Sequence, residues 1–96
     1  PALALKVNSI FDRIGIDLVF GLNETTEGYK GVVVITEYLT KYPYVQPIKS
    51  KTANEIARHL FNYIALFGPP KEILSDQGKE FINKLVDSML KLSGKE

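Results

Sequence analysis

The sequence predicts an α/β domain in which a three-stranded antiparallel meander is followed by a helix, a fourth strand and a second helix. Three observations predict it. Arg13-Ile14-Gly15-Ile16-Asp17-Leu18-Val19-Phe20 puts Ile14, Ile16, Leu18 and Phe20 on one face of an extended chain. Two later stretches carry apolar residues at helical spacing, and Gly68-Pro69-Pro70 separates them.

Each element follows from its residues. The first strand has one apolar face, and Asp17 sits mid-strand on the other. Residues 21–31 are polar and turn-like. Val32-Val33-Val34-Ile35-Thr36 is β-branched throughout, which predicts a central strand buried on both faces. Residues 42–48 predict a third strand. Its Pro43 and Pro47 cannot donate ladder hydrogen bonds, so it belongs at a sheet edge. Short connections make the three strands a meander.

Thr52 and Glu55 have the spacing of a reciprocal capping box. The helix they open should bury Ala53, Ile56, Ala57, Leu60, Phe61 and Ile64, and Gly68 should stop it. Residues 71–76 predict a short fourth strand ending at a polar corner. The second helix should bury Phe81, Ile82, Leu85, Val86, Met89 and Leu90, and Gly94 should end it. A crossover helix to a parallel strand is right-handed almost without exception. If the fourth strand lies beside the first, the spatial order is 3-2-1-4, which leaves the proline-bearing strand at the edge.

Composition narrows the function classes. With 96 residues the chain allows one small domain, and a hydrophobic fraction of 45% argues against disorder. A net charge of +1 does not by itself point to nucleic acid. Residues 40–59 do concentrate Lys41, Lys49, Lys51 and Arg58 against Glu55 alone. Cysteine is absent, which excludes disulfides and thiolate metal sites and suits an intracellular protein. The longest aliphatic run, residues 32–35, is far shorter than the roughly 18 residues of a membrane span, so no membrane partner is expected. Residues 1–10 are expected to be a leader or linker, and residues 11–96 a partial domain cut from a longer polypeptide.

Asp17 and Asp76 are 59 positions apart in sequence. In the order 3-2-1-4 they become neighbours, since side chains on adjacent strands and one face lie about 5–8 Å apart. Two carboxylates that close repel unless a cation sits between them. A hard divalent ion bound by one or two carboxylates, water and phosphate oxygens is the usual solution for phosphoryl chemistry. Each aspartate also has a plainer reading: Asp17 as a surface residue, Asp76 as a turn or helix-capping residue. The pattern alone supports an acidic metal site on an α/β sheet and goes no further.

The segment 11–18 and the run Gly68-Pro69-Pro70-Lys71-Glu72-Ile73-Leu74-Ser75-Asp76-Gln77-Gly78-Lys79-Glu80-Phe81 resemble the integrase catalytic core of gypsy-type LTR retrotransposons. Tyr38-Leu39-Thr40-Lys41-Tyr42 and Lys51-Thr52-Ala53 match it in order and spacing. The resemblance implies a ribonuclease-H-like fold, here truncated before its fifth strand and before the helix that bears its third acid. It implies Mg²⁺ or Mn²⁺ held by an Asp, Asp, Glu triad, and 3′-end processing and strand transfer of DNA. Asp17 and Asp76 match the first two acids. Gln77 and Gly78 would line the rim of the site, and Gly78 would serve equally to let the backbone turn. Lys41, Lys49 and Lys51 would touch DNA phosphates. The third acid lies beyond the end of this chain. Glu80, four residues past Asp76, is not used as a ligand in the family. The chain alone is therefore expected to be inactive and to self-associate through its open fourth-strand edge or its helix faces. The resemblance further implies a nuclear protein with element ends and target DNA as partners. Two other readings remain: a non-catalytic dimerisation or DNA-binding module, and a ribonuclease of the same fold.

Overall fold

The computed structural model describes residues 12–21 and 23–94. The leader expected over residues 1–10, and Phe11, lie outside the described residues. The chain forms β1 (Arg13–Phe20), β2 (Gly31–Glu37), β3 (Pro43–Ile48), α1 (Ala53–Phe67), β4 (Glu72–Ser75) and α2 (Lys79–Leu92). The four strands form one mixed sheet in the order β3-β2-β1-β4. β1 pairs antiparallel with β2 and parallel with β4, and β2 pairs antiparallel with β3. The expected topology therefore forms, with β3 at one edge.

The edge position of β3 has a visible cause. Tyr42 and Ile48 turn their carbonyls toward β2, where they accept from Glu37 and Lys30. Alternation then points the backbone nitrogens of Pro43 and Pro47 outward, where no ladder donor is needed.

Both helices contribute to one core. Ile14 and Ile16 of β1, Val33 and Ile35 of β2 and Ile48 pack with Ile56, Ala57, Leu60 and Tyr63 of α1 and Leu85 of α2. These ten side chains are at most 1% exposed. The other face, bearing Gly15, Asp17, Val19, Val32, Val34 and Val45, carries no helix among the described residues. Val32 and Val34 are only half-buried there, and Val45 is 50% exposed. This corrects the expectation of a strand buried on both faces. A β-branched run reports strand propensity, and it does not report whether a second layer covers the sheet.

Three local expectations also need correction. Glu55 does not close a reciprocal capping box. Thr52 Oγ1 accepts from Glu55 N at 3.3 Å, but the Glu55 carboxylate takes the amides of Lys49 at 2.6 Å and Ser50 at 2.8 Å. The loop before the helix folds back over the first turn and offers more donors than Thr52 N alone. The buried stripe of α1 includes Tyr63, while Phe61 is 40% exposed. Tyr63 wins because Tyr44 and Phe67 flank it, with ring centroids 5.4 and 4.8 Å away. In α2 only Leu85 is fully buried, and Val86 and Leu90 face outward.

Candidate metal centre

Register brings the two aspartate positions to the same end of the β1–β4 ladder. Ile16 of β1 pairs with Ser75 of β4, and one residue further along both chains stand Asp17 and Asp76. Adjacent strands lie about 4.8 Å apart, so the backbones of Asp17 and Asp76 leave the β1–β4 ladder next to each other. Asp17 lies on the face opposite Ile16, which is the face without helices. Both aspartates are exposed. An Arg13–Glu72 ion pair of 2.7 Å and the amides of Lys71 and Glu72 on the Asp12 carbonyl latch β4 to the start of β1.

Asp76 is not a helix cap. Gly78 is the N-cap of α2, with φ +94°, and no side chain bonds to that helix start. The turn itself is held by Ser75, whose hydroxyl accepts from Gln77 N at 3.0 Å. Among the described residues, the Asp76 carboxylate receives only the Gln77 side-chain amide, at 3.4 Å. Asp17 has no hydrogen-bond partner among the described residues. Neither carboxylate is therefore committed to holding the fold, which is what an ion-binding pair needs. Gln77 stands at the rim beside Asp76. The positive φ of Gly78 gives that position a backbone reason for glycine.

Among the described residues, no group of three or more His, Asp or Glu side chains could hold a metal ion. Glu80, in the first turn of α2, does not complete a triad with Asp17 and Asp76. Two carboxylates that keep their lone pairs free suit a hard divalent ion whose other positions go to water and phosphate oxygens. They do not enclose one.

The three lysines expected to touch DNA are dispersed. Lys41 follows the β2–β3 turn, with its Nζ 5.1 Å from the Tyr38 ring centroid. The Tyr38 ring in turn lies against Gly15, on the aspartate-bearing face. Lys49 and Lys51 are at the opposite end of β3, over the Tyr29 ring at 5.4 Å and the Phe20 ring at 5.3 Å. The six residues of β3 span about 20 Å, so the three lysines do not form one patch.

Sequence reasoning assigned no role to Glu37, which is 1% exposed at the end of β2. Its carboxylate accepts from Leu39 N at 3.1 Å, Thr40 N at 2.7 Å and Thr40 Oγ1 at 2.6 Å. It thereby builds the turn that carries Tyr38 and Lys41. The clue available in the sequence was a glutamate at a core-facing position of an alternating strand.

A mixed 3-2-1-4 sheet with both helices on one face is the ribonuclease-H-like fold of integrase catalytic cores. The catalytic core domain of HTLV-2 integrase, solved with magnesium in a dimeric form, superposes with a TM-score of 0.64 at 18% identity, over 90% of this chain and 58% of that one. No protein-family model matches the chain. The chain is homologous to gypsy-type retrotransposon integrases. It is 28% identical over 90 residues to gypsy retrotransposon integrase-like protein 1 of Bos taurus, a match covering 94% of this chain. It is 32% identical over 82 residues to the retrovirus-related Pol polyprotein from transposon 412 of Drosophila melanogaster, covering 84% of this chain. The matched regions are 18% and 7% of those two proteins' lengths. No helix among the described residues is long and apolar enough to cross a membrane.

Proposed function

We propose that the chain is the part of an integrase catalytic core that supplies two of its metal-binding carboxylates, Asp17 and Asp76. In the protein that carries it, the core trims and joins the 3′ ends of element DNA to target DNA. The observation that supports this reading is the pairing of Ile16 with Ser75, after which the chain continues at both strands into an exposed aspartate. A divalent ion, when bound, supplies Lewis acidity to a scissile phosphate. Asp17 and Asp76 fix the position of such an ion relative to the sheet, and the helix-free face leaves room for a DNA strand to approach. Gln77, whose side-chain amide reaches Asp76, would line the rim of this site. A third carboxylate must come from outside the described residues, so the chain alone holds an ion weakly and does not join DNA. Acting on chromosomal target DNA, the parent protein would work in the nucleus.

Self-association belongs to the same reading. The HTLV-2 core is described in a dimeric form. Here Phe61 and Leu66 on α1 and Leu90 and Leu92 on α2 are each at least 40% exposed, and among the described residues no strand pairs with the outer edge of β4.

The test is a strand-transfer assay on the full-length protein with Mn²⁺ and labelled DNA ends. Joining that falls to background in both Asp17→Asn and Asp76→Asn supports the reading. Joining that survives either substitution rejects it. A second reading is a DNA-binding or dimerising module without chemistry. It predicts that neither substitution alters the parent's behaviour.

A further inference from the structure

The face of β1 that carries Asp17 also carries a tyrosine ring that the proposed chemistry does not use. Tyr38 follows β2, one residue past the Ile14–Glu37 pair, and its amide donates to the Arg13 carbonyl at 3.0 Å. The backbone of Tyr38 is thereby fixed beside Arg13. The far end of its ring lies further along β1. A Cβ on Gly15 would stand 2.8 Å from Tyr38 Cε1, 3.4 Å from its hydroxyl oxygen and 3.6 Å from its Cζ. The side chain therefore runs over the helix-free face from the level of Arg13 to that of Gly15, in the direction of Asp17.

Gly15 does not have a positive φ, so no turn requires a glycine there. The ring requires it, because any Cβ at that position would overlap the aromatic edge. The Lys41 ammonium, 5.1 Å from the ring centroid, supports the ring from a second direction. Although its ring is held, Tyr38 stays 38% exposed, and among the described residues no hydrogen bond engages its hydroxyl. A phenylalanine would cover Gly15 equally well. The hydroxyl is the part of this side chain that packing leaves unexplained.

Spacing decides what that hydroxyl can reach. Asp17 is the next side chain on the same face, two residues or about 7 Å beyond Gly15. A hard divalent ion takes its ligands at about 2.1 Å, so a hydroxyl over Gly15 is too far away to coordinate an ion seated on Asp17. One oxygen of the ion's shell closes the gap, since a ligand bond followed by a hydrogen bond covers about 5 Å. We infer that Tyr38 is a positioning residue of the candidate metal centre, its hydroxyl donating to a shell water of the ion on Asp17 and fixing where that water points. The inference rests on Asp17 being a metal ligand, and it involves no DNA.

The experiment uses the chain with tyrosine isotope-labelled at Cζ, the Tyr38 signal being the one missing from Tyr38→Phe. Adding Mg²⁺ should shift that signal in the wild type and leave it unmoved in Asp17→Asn. Mn²⁺ affinity, read from the paramagnetic resonance signal of the free ion, should be about fivefold lower in Tyr38→Phe, the net contribution of one ordinary hydrogen bond. The phenylalanine ring keeps its seat on Gly15, so the melting temperature should stay within about 2 °C of wild type. A purely structural tyrosine would change neither the Cζ signal on adding Mg²⁺ nor the affinity of the phenylalanine variant. Wild-type Mn²⁺ affinity in Tyr38→Phe, a Cζ signal unmoved by saturating Mg²⁺, or no ion-dependent change in the chain at all would each overturn the inference. Ion binding that survives Asp17→Asn would reject the metal centre itself, and the integrase reading with it. Binding that needs Asp17 and ignores the Tyr38 hydroxyl would overturn this inference alone.

Discussion

Replacing Glu37 with alanine should be among the most damaging single changes to this fold, although the residue belongs to no proposed site. Its carboxylate is 1% exposed and collects two amides and one hydroxyl from the turn after β2. Hydrogen bonds to a charged group contribute about 1.5–3 kcal/mol each, so three give a lower bound near 4.5 kcal/mol. Leu39 and Thr40 are exposed, so their released amides regain water, which returns on the order of 1–2 kcal/mol. A net loss of about 3 kcal/mol remains. For a domain of this size that lowers the melting temperature by about 12 °C. Glu37→Gln keeps the shape but turns one acceptor into a donor facing an amide, and should cost about half as much. Thermal unfolding followed by circular dichroism measures both. A drop below about 4 °C for the alanine variant would refute the claim that this carboxylate organises the turn.

Gly31→Ala should also destabilise by about 3 kcal/mol, at the upper end of overpacking costs, since its Cβ would fall 2.3 Å from the Val19 carbonyl oxygen across the β1–β2 ladder. Chemical denaturation should show a clear fall in midpoint, and an unchanged midpoint would contradict the close approach. Lys41 holds φ +65° after the same turn, so Lys41→Gly should raise the melting temperature by a few degrees, on the order of 1 kcal/mol, by removing left-handed strain. A lower melting temperature would count against that. Burial holds the His59 pKa below its ordinary value despite the opposing pull of Glu55. The native state therefore disfavours protonated His59, and stability contributed above the unfolded value of 6.5 is lost as pH falls through the folded value. Melting temperature should decline as pH falls from 7 toward 5, and His59→Gln should flatten that decline; an identical decline in the variant would remove His59 as its cause. Burial alone would raise the Glu55 pKa, but the amides of Lys49 and Ser50 and the Ser50 hydroxyl lower it further than that. Its contribution is present above 4.5 and disappears only at lower pH, in a separate, more acidic limb.

Strand order was legible because two prolines barred β3 from the sheet centre and the Gly68-Pro69-Pro70 break fixed where α1 must end. The adjacency of β1 and β4, the strands that lead to Asp17 and Asp76, was legible for the same reason. Finer choices were not. Phe61 and Tyr63 are both apolar enough to face a core, and only the rings of Tyr44 and Phe67, contributed by β3 and the end of α1, select Tyr63. The uncovered valine face of β2 depends on what packs beyond the strand, which no property of the strand encodes. Glu37 was passed over because composition treats a glutamate as surface, whereas its three donors come from the residues just after it. The three lysines looked like one patch because they are close in sequence, yet β3 separates Lys41 from Lys49 by its full length.

The most direct measurement is paramagnetic broadening of backbone amide signals on adding Mn²⁺ to the chain. If Asp17 and Asp76 share one ion, broadening should centre on residues 16–18 and 75–77 together, and Asp17→Asn should abolish it at both segments. Broadening at only one segment, or at both but unaffected by Asp17→Asn, would contradict a common ion between them.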